Sequence, residues 1–297
     1  MHKEAFPSSK SERALTPLSV RLGMDTLIAL APTIRNVSVE GQSHLFEIPK
    51  ETPVVIATSH SSGLDVPITV KGLGEYRDIA VTDQSTHHKL TGGLKDLDTF
   101  INIRIIGKEN FIPIPFDWVD GHKEPSMFDP TSTELMSTAM NKGKDVLIAA
   151  HTPDDTSVIG EIRKTPPKAG VSAAFLALTQ HSPILPVAIN MIPTDNPTKF
   201  DAVVTVGEVF SLDASEDVSQ IMELTRKRKA GEKLSSEETL QLTTQLKTLR
   251  RAGETVLDHV LVLEKDRTEE TPSATEQQAS KRKKLSAFLL KNLFVRS

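Results

Sequence analysis

The chain contains no cysteine. Disulfides, thiolate zinc centres, iron–sulfur clusters and a thiol nucleophile are therefore excluded. Aromatic residues are scarce, with one Trp, one Tyr and 11 Phe in 297 residues. That argues against a surface that stacks on single-stranded nucleic acid, and no nucleic-acid partner is expected. Long apolar runs are missing too. None reaches the roughly 18 residues that a membrane-spanning helix needs. The best N-terminal candidate, LGMDTLIALAPTI (22–34), is short and interrupted by Asp25, so no signal peptide is expected. Acidic residues are absent from 281–297, which holds Lys281, Arg282, Lys283, Lys284, Lys291 and Arg296. With a net charge of −4, the other 280 residues sum to −10. An acidic body with a basic tip implies a separate task for the tip.

What remains is a soluble, globular composition, 38% hydrophobic and 25% charged, long enough for one sizeable core. Residues 14–33 read as a helix whose apolar face is Leu18, Leu22, Leu27 and Leu30. NVSVEG (36–41) alternates like a short strand. PVVIATS (53–59), DVLIAAH (145–151) and PILPVAIN (183–190) are apolar runs of the kind buried in a parallel sheet. DIAVTDQ (78–84) and DAVVTVGEVFSL (201–212) read as further strands, and NFIPIPF (110–116) as an extended edge segment. Helices are predicted around 91–102, over 130–143 with Asp129, Thr131 or Ser132 near the cap, over 168–180 and over 214–230. Another runs from the capping box Ser235–Glu238 to about residue 263. Alternating strands and helices predict an α/β fold: one domain, a mixed and largely parallel sheet flanked by helices, an N-terminal helix and a C-terminal helical extension. The expected organisation is a disordered 1–13, the α/β domain over 14–267, a polar linker over 268–280, and a basic amphipathic tail over 281–297.

The second strand runs into a polar loop, VVIATSHSSGLDVPIT (54–69), in which His60 is followed by Asp65. Nine His and 18 Asp in this chain give about 0.5 chance pairs at that spacing, so spacing alone is weak. Position adds weight, because α/β sheets bind ligands beyond their strand ends. A neutral imidazole there can take a proton from a hydroxyl, while a carboxylate on its other nitrogen sets the tautomer. Ser61, Ser62 and Gly63 leave backbone N–H groups and room for a substrate. The competing reading is a polar turn with a helix cap. A serine hydrolase would carry G-x-S-x-G, which does not occur. The attacking hydroxyl is therefore expected on the substrate.

In order along 36–212 the chain resembles the phospholipid/glycerol acyltransferases of the lysophosphatidic acid acyltransferase type. PVVIATSHSSGLD is similar to the family's approach strand and H-x4-D motif. GKENFIPIPF (107–116) resembles the second block, with Phe111 and Ile112. DVLIAAHTPDD (145–155) and KAGVSAAFLAL (168–178) resemble the third block and its Lys-x-Gly helix, Lys168 and Gly170. SPILPVAIN (182–190) is similar to the fourth. The resemblance implies transfer of a fatty acyl group from acyl-CoA or acyl carrier protein to a lysophospholipid or related hydroxyl. His60 would be the general base and Asp65 its orienting group, with no cofactor and no metal.

Two features depart from that pattern. Where the family has Phe-Pro-Glu-Gly-Thr, this chain has Ala149, Ala150, His151, Thr152 and Pro153. An expected Arg falls near Ile114. Both bear on the acceptor, which His151, Thr152 and Lys168 would then hold, with Arg163 and Lys164 nearby. A lone loop histidine is the competing reading of His151. RKRK (226–229) and His87–His88 read as solvated surface. Leu285, Phe288, Leu289 and Leu293 beside basic residues fit a segment lying in an anionic membrane interface, so a cytoplasmic, peripherally membrane-associated protein is expected. The alternatives are a disordered tail or a helix packed on the body, and, less favoured beside an acidic body, nuclear targeting or nucleic-acid binding by the KRKK cluster. The alternative functions are a catalytically degenerate lipid or acyl-carrier binding protein and a thioesterase-like hydrolase.

Overall fold

Five parallel strands form the centre of the molecule, and their register is read along one row of side chains. Leu185, Ile56, Leu147, Val81 and Phe111 lie side by side on five neighbouring strands, all in one hydrophobic core. The structure, a computed structural model, describes residues 15–30, 34–49, 51–59, 65–83, 110–114, 116–119, 122–125, 129–150, 170–196, 199–213 and 217–269. The helix expected around 91–102 and the basic tail lie outside the described residues.

The strands are β1 (Ile34–Glu40), β2 (Val55–Thr58), β3 (Ile79–Asp83), β4 (Phe111–Pro113), β5 (Phe116–Val119), β6 (His122–Pro125), β7 (Asp145–Ala149), β8 (Ile184–Pro193) and β9 (Phe200–Val206). Seven make one sheet in the order β1-β9-β8-β2-β7-β3-β4, and β5 and β6 form a separate antiparallel pair. Among the described residues of the large sheet, only the β8–β9 strand pairing is antiparallel. The sheet is thus mixed and largely parallel. The helices are α1 (Leu18–Leu30), α2 (Gln42–Glu47), α3 (Asp65–Leu73), α4 (Pro130–Asn141), α5 (Val171–Gln180), α6 (Ile221–Lys229) and α7 (Ser236–Glu269).

The sheet is buried on both faces. Val54 and Ile56 pack with Val20, Met24, Ile28, Ile68 and Leu73 of α1 and α3 on the first face. Val55 and Ala57 pack with Met136, Phe175, Ile221, Leu249 and Val256 of α4 to α7 on the second. This two-sided burial is why β2, β7 and β8 read as continuous apolar runs rather than as alternation.

Several element ends follow from local chemistry. Asp129 caps α4 by accepting from the Ser132 N–H (2.8 Å), and Pro130 opens that helix. Ser235 and Glu238 form the reciprocal capping box of α7, at 2.8 and 3.1 Å. The Glu238 carboxyl is held down at about 2, by Lys227 first and then by Ser235. The structure also differs from the sequence reading. Leu18 and Leu22 are 61% and 56% exposed, and the buried stripe of α1 is Val20, Met24 and Ile28. That helix is apolar around most of its circumference, so periodicity does not select a face. The strand expected to reach residue 212 ends at Val206; beyond it Phe210 makes a single bridge to Ile184. The helix expected from 214 starts at Ile221. α7 continues through Glu269, past the expected linker boundary. Neither α2 nor the β5–β6 pair was expected.

The amino end of the sheet is tied by one buried ion pair. Asp145, opening β7, accepts from Arg77 Nε (2.5 Å) and Nη2 (2.8 Å), and both side chains are at most 2% exposed. Asp145 Oδ1 also accepts from the Val54 N–H at 3.0 Å, and Arg77 Nη2 donates to the Thr52 carbonyl at 2.9 Å. The Thr16 hydroxyl, just before α1, donates to the Arg77 carbonyl and accepts from the Ile79 N–H. Removing one partner leaves a buried charge unmatched, so Asp145→Ala is expected to lose about 3–5 kcal/mol of stability. Most of that loss should return when Arg77→Met is added. Urea midpoints of the three proteins measure this; an unchanged midpoint for Asp145→Ala would contradict the role.

Candidate functional site

The crossovers around β2 and β7 choose where a ligand can enter. From β2 the chain passes through α3 to β3, in one direction along the sheet. From β7 it passes through α5 to β8, in the other. Two crossovers of the same hand that run in opposite directions must lie on opposite faces. Accordingly α3 packs on the first face and α5 on the second. Because β2 and β7 are neighbours, their carboxyl ends flank the point where the connections part. Such switch points are where open α/β sheets hold ligands.

The two strand ends are firmly held up to that point. Thr58 is paired with Ala149 on one side and Val187 on the other. One step further, the Ala150 N–H donates to the Thr58 carbonyl at 2.8 Å and the Ser59 N–H donates to the Val187 carbonyl at 3.0 Å. The Ser59 hydroxyl then accepts the Ile189 N–H at 2.9 Å. Ser59 is fully buried. Its oxygen stands in for the next backbone acceptor of the ladder, so β2 stays registered to β8 to its last residue. His60 follows Ser59, and His151 follows Ala150.

Asp65 is the first residue of α3 and is fully buried. The N–H groups of a first helical turn favour a carboxylate there. One turn on, Thr69 is also fully buried, and its hydroxyl has no hydrogen-bond partner among the described residues. Ser59 and Thr69 are the polar groups that sequence reasoning missed. Ser59 had a signal, its place immediately before His60, but nothing in sequence says which backbone group it meets.

The other expected site residues are distributed as follows. Phe111 and Ile112, in β4, are buried with their side chains in the first- and second-face cores. β4 is separated from β2 by β7 and β3. Gly170 is the residue before α5 and has φ 75°. A Cβ there would lie 2.2 Å from the carbonyl oxygen of Gly253 in α7, so glycine is required by a backbone contact between two helices. His60, Ser62, Gly63, His151, Thr152 and Lys168 lie outside the described residues. Among the described residues, no group of three or more His, Asp or Glu is arranged to hold a metal ion.

The chain matches no family model and no curated protein. Among solved structures, the 1-acyl-sn-glycerophosphate (LPA) acyltransferase PlsC from Thermotoga maritima aligns over 71% of this chain and 76% of its own, at 13% identity and a TM-score of 0.40. At that distance no residue role or activity carries across.

Ser59→Ala leaves the Ile189 N–H buried without an acceptor. Stability is expected to fall by about 1–3 kcal/mol, with faster hydrogen exchange concentrated at Ile189. Unchanged exchange at that amide would show that the hydroxyl is dispensable.

Proposed function

We propose that the protein is an acyltransferase that moves a fatty acyl group from a thioester to the hydroxyl of a lysophospholipid or related acceptor. The observation that carries the reading is the His-x4-Asp segment. It begins one residue beyond the registered end of β2, at the sheet's switch point, and ends in a fully buried Asp65 at the start of α3. The ordered sequence blocks across 36–212 favour the same chemistry.

In this reading the His60 imidazole takes the proton of the acceptor hydroxyl as its oxygen attacks the thioester carbonyl. The tetrahedral intermediate collapses, the carbon–sulfur bond breaks, and the departing thiolate receives the proton from the imidazolium. Asp65 holds the tautomer and stabilises the transient cation. Backbone N–H groups around Ser62 and Gly63 supply the oxyanion site. Acyl-CoA or acyl carrier protein is the donor, and His151, Thr152 and Lys168 hold the acceptor. No cofactor or metal enters the scheme.

A lipid acceptor makes peripheral membrane association part of the proposal. Among the described residues no helix is long and apolar enough to cross a membrane. The basic tail is one means of attachment. Leu18 and Leu22, exposed on α1, and Phe46, 71% exposed on α2, offer a second apolar surface.

One observation favours a second reading, a lipid or acyl-carrier binding protein without transferase activity: His151 stands where the resembled family has an acidic residue. An acyl-CoA assay with a panel of lysolipids separates the readings. His60→Ala is expected to lower acceptor-dependent thiol release by about 10²–10⁴-fold, with acyl-CoA binding retained. Release that ignores His60 would overturn the base assignment. Release without any acceptor would identify a hydrolase, and binding without release the non-catalytic protein.

A further inference from the structure

A groove lies where the first turns of α7 meet the segment before α6. It holds about 610 Å³ and is lined by Asp217, Glu237, Leu240, Thr244 and Gln245, among others. Three features make it an unfinished surface. Leu240 is 68% exposed. Asp217 and Glu237 have no ion-pair partner among the described residues, whereas the neighbouring Glu223 and Glu238 are both taken by Lys227. Gln245 is only 4% exposed, and its amide nitrogen donates to Asp217 at 3.0 Å. Its carbonyl oxygen is buried with no hydrogen-bond partner among the described residues. An orphaned acceptor of this kind costs about 1–3 kcal/mol until a donor reaches it. Asp217 is held below the usual carboxylate range, by the Ser219 hydroxyl first and then its N–H, so it remains charged near neutral pH.

We propose that, off the membrane, the chain's own basic tail, residues 281–297, docks in this groove. The tail carries what the groove lacks. It has six cations and no acid. In a helical register, Leu285, Phe288, Leu289 and Leu293 share one side, the pattern of a helix laid in a groove. Those apolar groups cover Leu240. A lysine or arginine faces Asp217 and Glu237, and the Gln245 amide turns its oxygen toward that donor. The chain is long enough. Gln245 to Glu269 is about 36 Å of helix at 1.5 Å per residue. The 15 residues 270–284 reach up to about 50 Å, which covers the return. The inference is independent of the acyl-transfer chemistry, because neither the groove nor the tail belongs to the proposed catalytic site; its membrane-free setting rests on the tail's proposed role in membrane attachment.

The absence of cysteine makes the test direct. Full-length protein carrying Thr244→Cys and Ser286→Cys is oxidised under mild conditions in dilute, vesicle-free, low-salt buffer. A control pair combines Ser286→Cys with Ser38→Cys, exposed on β1 at the far edge of the sheet. The expected result is an intrachain disulfide that forms at least about tenfold faster for the Thr244 pair, since docking raises the effective concentration toward the millimolar range. Adding Glu237→Lys, or raising the salt to about 0.5 M, should abolish most of that advantage. Equal rates for the two pairs would overturn the proposal. So would a disulfide formed only between chains, which assigns the groove to a second copy, or a rate indifferent to Glu237→Lys.

Discussion

The buried pair between Arg77 and Asp145 is the constraint on which the rest of the sheet depends. It joins the starts of β2, β3 and β7 and, through Thr16, the start of α1. In a parallel sheet made of short apolar strands, hydrophobic burial alone is a weak guide to register, since every residue is buried on one face or the other. A bidentate charge pair with an additional backbone donor is not tolerant of slippage. Fixing those amino ends fixes where the carboxyl ends fall. The strand ends that matter for function are thus positioned from the opposite edge of the sheet.

From that register the rest of the candidate site follows by connection rather than by sequence. β2 and β7 are distant in the chain and adjacent in the sheet. Their following helices leave to opposite faces, and the segments that begin with His60 and His151 start from neighbouring strand ends. Ser59 extends the order of β2 by one residue beyond its ladder. A proton-transfer group placed immediately after such a residue has a defined point of departure, which is what positioning at a strand end requires.

Much of this architecture was legible in the amino-acid order, for identifiable reasons. The apolar runs of β2, β7 and β8 announce strands buried on both faces. Asp129 and the Ser235–Glu238 box mark helix starts by local hydrogen bonding. The exposed side of α1 was not legible, because Leu18 and Leu22 look as buriable as Val20 and Met24; only the neighbouring α3 decides. α2 was missed because QSHLFE offers a single buried residue, Leu45, to the core. At the site, the spacing of His60 and Asp65 was visible. The complete burial of Asp65, the occupation of the Ser59 hydroxyl and the packing of Phe111 and Ile112 into the cores were not, since each depends on partners far away in sequence.

The contact between Gly170 and Gly253 has a mechanical consequence. Two backbones meet there with no side chain between them to absorb a shift. Displacement of α7 at that point is displacement of the residue that starts α5, and hence of the far anchor of the segment leaving β7. A helix of 34 residues in this way ties its own position to the start of α5. Because Val256 and Val260 of α7 lie in the second-face core with Val55 and Ala57 of β2, such a shift is shared with the strands beneath.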